Sequence, residues 1–163
     1  MEVNPNKLVF IVEDNDLYSM MLDYNLSNDS IAHFLCFRTG EECIAALERE
    51  MNPMLIILDY LLPGMNGKDT LRRIKQLKPE IPVVMLSVKK DQTLIKELFK
   101  EGAHDYLIKE KSSIKKLKKI INSFVNEITK NERKGVTRIK VAVLFVFVAA
   151  LIVVAFYFRA YWT

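Results

Sequence analysis

Along the first three quarters of the chain, short runs of apolar residues alternate with stretches in which apolar side chains recur every third or fourth position. The runs at 8–12, 54–58, 83–86 and 106–108 are too short for buried helices and are bounded by turn formers, so each predicts a strand; 31–37 predicts another. The run Met54-Leu55-Ile56-Ile57-Leu58 has no polar member, the pattern of a strand covered on both faces. Helical spacing predicts helices over 16–27, 40–50, 68–78 and 94–100, with inward sets such as Cys43, Ile44 and Leu47, or Leu71, Ile74 and Leu77. Asn15 or Asp16 caps the first of these, and Gly102 stops the fourth. A last helix from Ser113 carries Ile114, Leu117, Ile120, Ile121, Phe124, Val125 and Ile128 at spacings of three and four. Five strands alternating with five helices predict an α/β fold built on a five-stranded, parallel, doubly wound sheet with right-handed crossovers.

The pattern then changes twice. Residues 129–140 are polar and basic and contain Gly135, which reads as a juxtamembrane linker. Residues 141–158 follow without a charge, about 27 Å of helix if helical, close to the hydrocarbon thickness of a bilayer. A core helix of that length would show a polar face, and this one shows none, so a transmembrane helix is expected, with 159–163 as a short tail. Tyr157, Tyr161 and Trp162 fit an interfacial aromatic belt. Lys130, Arg133, Lys134, Arg138 and Lys140 precede the span and only Arg159 follows it, which predicts a single-pass membrane protein with its N-terminal domain in the cytoplasm.

Charge follows the same division. Of 24 Lys and Arg against 20 Asp and Glu in 163 residues, 18 of each lie before residue 127, so the globular part is neutral and offers no electrostatic footprint for nucleic acid. The run Lys111, Lys115, Lys116, Lys118 and Lys119 reads as a solvated helix face or as an attraction to anionic lipid. Cys36 and Cys43 have neither disulfide nor metal spacing and read as reduced thiols of a cytoplasmic protein, and the first apolar run is too short for a secretory signal. His33 and His104 read as structural or surface residues.

Candidate chemistry sits where the strand runs end. Leu8–Val12 is followed by Glu13-Asp14, the third run by Asp59, the fourth by Ser87 and the fifth by Lys109. Ligands of open α/β sheets bind beyond the carboxyl ends of the strands. Three acids, a hydroxyl and an amine gathered there can hold a divalent cation and a phosphoryl group. A flavodoxin-like cofactor binder would have the same topology, but its phosphate cradle needs Gly, Ser and Thr amides, and Glu13-Asp14-Asn15-Asp16 repels phosphate unless a metal intervenes.

Glu13-Asp14, then Asp59 with Pro63 and Gly67, Ser87, Gly102-Ala103 and Asp105-Tyr106-Leu107-Ile108-Lys109, in this order and at these strand ends, resemble the receiver domain of two-component response regulators over residues 7 to about 126. The resemblance implies a flavodoxin-like receiver domain over 1–128. It implies that Asp59 accepts a phosphoryl group from a histidine kinase or histidine phosphotransfer protein, with Mg2+ as cofactor. Asp14, Asp59 and the backbone carbonyl of Leu61 are then expected as metal ligands, with Glu13 acting through water. Lys109 is expected to pair with the phosphoryl oxygens or Asp59, Ser87 to donate to a phosphoryl oxygen, and Tyr106 to follow by turning inward. A carboxylate is a poor nucleophile toward a negatively charged phosphoryl group, which is why a cation and in-line positioning are needed.

The chain departs from the family pattern at Leu62, where Met is common, and at Glu110, where Pro is usual after the lysine, so the family's cis bond is absent and the pose of Lys109 is open. Leu61 cannot orient a hydrolytic water, which predicts slow self-dephosphorylation. The expected protein is a membrane-tethered signalling receiver, not an enzyme, with output through protein contact or onward phosphotransfer. A non-phosphorylated scaffold is the competing reading.

Overall fold

The computed structural model describes residues 5–28 and 31–161, without most side chains beyond residue 134. After a single 3-10 turn, Pro5–Lys7, the elements run β1 (Leu8–Val12), α1 (Asp16–Ser27), β2 (His33–Phe37), α2 (Gly40–Glu48), β3 (Leu55–Asp59), α3 (Gly67–Leu77), β4 (Val83–Ser87), α4 (Gln92–Lys100), β5 (Asp105–Ile108) and α5 (Lys111–Tyr161). All strands are parallel in the order β2-β1-β3-β4-β5, so the expected five-stranded doubly wound sheet is present. The first predicted departure is small: β2 starts at His33, where pairing with Leu8 begins, and Ile31 is exposed.

Pleating sorts the side chains onto two faces. Phe10, Val12, Ile56, Leu58, Val83 and Met85 pack under α2, α3 and α4, against Cys43, Leu47, Leu71, Ile74 and Leu98. Val9, Ile11, Leu55, Ile57, Val84 and Leu86 pack under α1 and α5, against Leu22, Leu26, Leu117, Ile121 and Val125. β3 and β4 are buried throughout, as their uninterrupted apolar runs require. Side-chain oxygens of Asn15, Thr39, Asn66 and Asp91 cap α1 to α4, satisfying amides that each helix start leaves orphaned. Gly102 ends α4 at φ +97°, a left-handed conformation that glycine adopts without steric cost.

Residues Met1–Val125 form one compact unit and Asn126–Thr163 a second. The basic stretch 129–140, expected as a linker, is helical throughout as part of α5. Its lysines, arginines and Glu132 are good helix formers, and one glycine costs only about 1 kcal/mol, too little to break the run at Gly135. Among the described residues no helix is long and apolar enough to cross a membrane. The expected span at 141–158 lies mostly outside the described side chains; of its residues only Val143, Phe145 and Phe147 have described side chains, all exposed.

Candidate functional site

Strand parity assembles the site. Glu13, Asp59 and Lys109 each fall two residues after a side chain packed on the α1 and α5 face, namely Ile11, Ile57 and Leu107, so all three turn to that face at the carboxyl edge of the sheet. Hydrogen bonds extend the ladder just past the strands: Glu13 N–H donates to the Phe37 carbonyl at 2.9 Å, Tyr60 N–H to Leu86 at 2.8 Å and Lys109 N–H to Ser87 at 2.8 Å. The backbone there is as fixed as the sheet.

Lys109 Nζ donates to Glu13 Oε2 at 2.6 Å and to Asp59 Oδ2 at 2.7 Å. Both carboxylates are almost fully buried, and the ammonium is largely so. Asp59 Oδ1 accepts the Leu61 N–H at 3.2 Å, and Glu13 Oε1 accepts the Asn15 N–H at 3.3 Å. Asp14 is exposed, yet Glu13, Asp14 and Asp59 can bring one carboxylate oxygen each within 4.8 Å of one another. Among the described residues this is the one group of acids, histidines or cysteines close enough to hold a metal ion. Lys109 thus reaches the acids with a trans peptide bond to Glu110, and its pose does not depend on the missing proline.

Burial pushes the Glu13 carboxyl above its ordinary pKa; the bond from Lys109 opposes this and the Asp59 charge adds to it. Burial alone would lower the pKa of the Lys109 ammonium, but the bonds and charges of Asp59 and Glu13 override it and hold it above the usual lysine value. The resting cluster is two carboxyl groups sharing one amine, with oxygen donors facing an exposed third acid.

Gly67 makes the loop after β3 possible. A Cβ there would lie 2.2 Å from the Asp59 carbonyl oxygen and 2.6 Å from the Tyr60 Cα, so only glycine lets the start of α3 approach the strand that bears Asp59. Its N–H donates to the Tyr60 carbonyl at 3.0 Å.

Ser87 and Tyr106 have the opposite parity. Tyr106 packs against the α2–α4 cluster, and its hydroxyl donates to the Lys89 carbonyl at 2.6 Å. Ser87 is fully buried, and its Oγ accepts the Lys89 N–H at 3.1 Å. Both expected switch residues therefore hold Lys89, in the loop between β4 and α4, and neither bonds to the acids among the described residues. The Lys89 amine lies 5.7 Å from the centre of the Tyr60 ring.

Sequence reasoning missed Tyr18. Its ring centroid lies 4.7 Å from Lys109 Nζ. The signal was available: Tyr18, Leu22 and Leu26 form the inward i, i+4, i+8 face of α1, and a helix that starts directly after Glu13-Asp14 sets its first inward side chain over the site.

A carboxylate cluster with a bridging lysine at the carboxyl edge of a 2-1-3-4-5 sheet is the arrangement of a signalling receiver fold. The chain belongs to the response regulator receiver domain family, whose profile matches residues 9–122. It is a signalling module rather than a catalytic enzyme. Among curated relatives, it is 42% identical over 74 residues to the two-component response regulator ORR3 of Oryza sativa, covering 44% of this chain and 56% of the relative. It is 33% identical over 104 residues to the phosphate regulon transcriptional regulatory protein PhoB of Rhizobium meliloti, covering 62% and 44%. The chain thus spans about half the length of these relatives. The receiver domain of a LuxO repressor protein from Vibrio parahaemolyticus superposes with TM-score 0.68 at 26% identity, covering 78% of this chain and 95% of that one. The Mn(2+)-bound response regulator Rcp1 superposes with TM-score 0.60 at 27% identity, covering 72% and 90%.

Proposed function

We propose that this chain is a membrane-anchored receiver of a two-component phosphorelay that accepts a phosphoryl group on Asp59 from a histidine kinase or histidine phosphotransfer protein, with Mg2+. The observation that carries the reading is the junction of Glu13, Asp14 and Asp59 within 4.8 Å, with Lys109 bonded to two of them. Three carboxylates are the hard oxygen donors that suit Mg2+, which is usually held by one or two carboxylates plus phosphate and water. The Mn(2+)-bound form of Rcp1 shows that a relative takes a divalent cation.

In this reading Asp14 and Asp59 hold the metal directly with the Leu61 carbonyl, and Glu13 through water. A cation held by these residues would supply positive charge between the Asp59 carboxylate and the incoming phosphoryl group. An Asp59 oxygen forms the new P–O bond as the donor's P–N bond breaks, giving an acyl phosphate. Lys109, freed from part of its hold on the two acids, pairs with phosphoryl oxygens as a compact point charge. Ser87 turns its hydroxyl from Lys89 to the phosphoryl group, and the loop carrying Lys89 moves with it. Tyr106, bonded to the same residue, follows inward, which changes the face presented to a partner. Output is a protein contact or onward transfer of the phosphoryl group.

The membrane role rests on sequence: residues 141–158 carry no charge, and five basic residues precede them where one follows. This makes the chain single-pass with its receiver in the cytoplasm, where tethering raises its effective concentration for a membrane-bound kinase. Incubation with acetyl phosphate and Mg2+ should give a hydroxylamine-sensitive phosphoprotein that EDTA prevents. Absence of label with the metal present would favour a non-phosphorylated scaffold. Release of the full-length chain from membranes by alkaline carbonate without detergent would refute the anchor.

A further inference from the structure

We propose that Tyr18 is a positioning residue for phosphoryl transfer, its ring face holding the Lys109 ammonium at the acid cluster. The proposal rests on the phosphoacceptor reading of Asp59.

An ammonium has three donors, and Lys109 directs two of them at Glu13 and Asp59, at 2.6 and 2.7 Å. The Tyr18 ring centre lies 4.7 Å from the same nitrogen, inside the roughly 6 Å range over which a ring quadrupole attracts a cation. The ring is not free to drift. Tyr18 stands in the first turn of α1, its N–H is fixed to Asn15 Oδ1 at 2.9 Å, and the side chain packs against the cluster containing the buried Leu22 and Leu26. It is half-buried, so the contact is only partly screened by water.

The two acids are unreliable holders of Lys109 during the reaction. With a metal bound, Asp59 directly and Glu13 through water would turn to a competing cation, and Asp59 becomes a mixed anhydride whose charge sits on the phosphoryl oxygens. The ring neither ligates, accepts phosphoryl, nor loses its attraction when the acids are engaged. A lysine is a point charge on four rotatable carbons, and after Lys109 the chain continues through Glu110 with no ring closure to restrain it. Of the three groups around the ammonium, Tyr18 is the one that stays the same from resting state to phosphoprotein.

Tyr18→Leu keeps the apolar packing and removes the quadrupole, whereas Tyr18→Phe keeps both. In the metal-free full-length chain, the Lys109 ε-methylene protons should resonate upfield through the ring current in wild type and in Tyr18→Phe, and return to ordinary positions in Tyr18→Leu. With acetyl phosphate and saturating Mg2+, Tyr18→Leu should label about fivefold more slowly, as expected for loss of a partly desolvated cation–π contact, while Tyr18→Phe labels as wild type. A Tyr18→Leu rate equal to wild type overturns the proposal, as do unshifted Lys109 protons in wild type. A failure of Tyr18→Phe to restore the rate overturns the ring-face assignment in favour of the hydroxyl. No label on the unmodified chain, with the upfield shift present, refutes the phosphoacceptor reading itself and this role with it.

Discussion

Replacing Lys109 by methionine tests the electrostatics of the site before any phosphoryl chemistry. The substitution keeps most of the side-chain volume and removes the one cation that, among the described residues, meets Glu13 and Asp59, whose side chains are 1% and 4% exposed. Among the described residues no buried side-chain nitrogen or oxygen lacks a hydrogen-bond partner, so the resting site is fully compensated and the loss is uncushioned. Removing one partner of a buried ion pair costs about 3–5 kcal/mol. The exposed Asp14 side of the cluster admits water, so the lower end, about 3 kcal/mol, applies here. For a chain of this length that lowers the thermal midpoint by about 6–12 °C.

Two dependences follow from the same charges. Without Lys109 the buried Glu13 carboxyl loses the bond that opposes its raised pKa, so its protonated form favours the folded state more strongly. The stability Glu13 contributes is present at low pH and is lost as pH rises through its raised value; the deficit of the variant should therefore shrink toward the ordinary carboxylate range, roughly pH 4–5. Mg2+, bound as proposed, should replace the missing cation and at 100 times its dissociation constant contribute about 2.7 kcal/mol. Melting of the full-length protein followed by circular dichroism, in EDTA and in Mg2+ at pH 5 and 7.5, reads all three effects. Equal midpoints for wild type and Lys109→Met in EDTA, or an equal gain from Mg2+ in both, would refute the reasoning.

Other substitutions probe separate parts of the account. Gly67→Ala forces a Cβ against the Asp59 and Tyr60 backbone and should cost about 1–3 kcal/mol while weakening Mg2+ binding; a wild-type melting temperature would show that the loop yields freely. Tyr106→Phe loses the bond to the Lys89 carbonyl and should destabilise by about 1 kcal/mol in chemical denaturation, without preventing phosphorylation. Because burial holds the Glu13 carboxyl above its ordinary pKa, the stability it contributes is present below the normal glutamate range and lost as pH rises through the raised value; Glu13→Gln should therefore melt higher than wild type at pH 7.5 and converge with it at acid pH. Burial pushes the Cys43 thiol up to about 12, whereas Cys36 is exposed, so a thiol reagent should modify Cys36 in the native protein and Cys43 only on unfolding.

The sheet was readable because burial on both faces demands uninterrupted apolar runs, and 54–58 and 83–86 have no other use for such composition. The acids were readable because Glu13, Asp14 and Asp59 break those runs at one end. What the runs do not display is parity between strands: that Glu13, Asp59 and Lys109 share a face while Tyr106 lies on the other depends on register, which long crossovers conceal. Tyr18 was missed because a half-buried aromatic on an amphipathic helix reads as packing, although its place as the first inward residue after Glu13-Asp14 was legible. Continuity of α5 through Gly135 was underestimated because a lone glycine among polar residues resembles a hinge, although its helix penalty is smaller than that of a true breaker.

The central claim is that Asp59 is the phosphoacceptor, and chemical trapping tests it most directly. The full-length chain, phosphorylated with acetyl phosphate and Mg2+, is reduced with borohydride, which converts an aspartyl phosphate to homoserine, and the peptides are sequenced by mass spectrometry. Homoserine at position 59, absent from Asp59→Asn and from the sample treated with EDTA, is the expected result. Homoserine at Asp14 or another acid with Asp59 intact, or equal label in Asp59→Asn, would contradict the account.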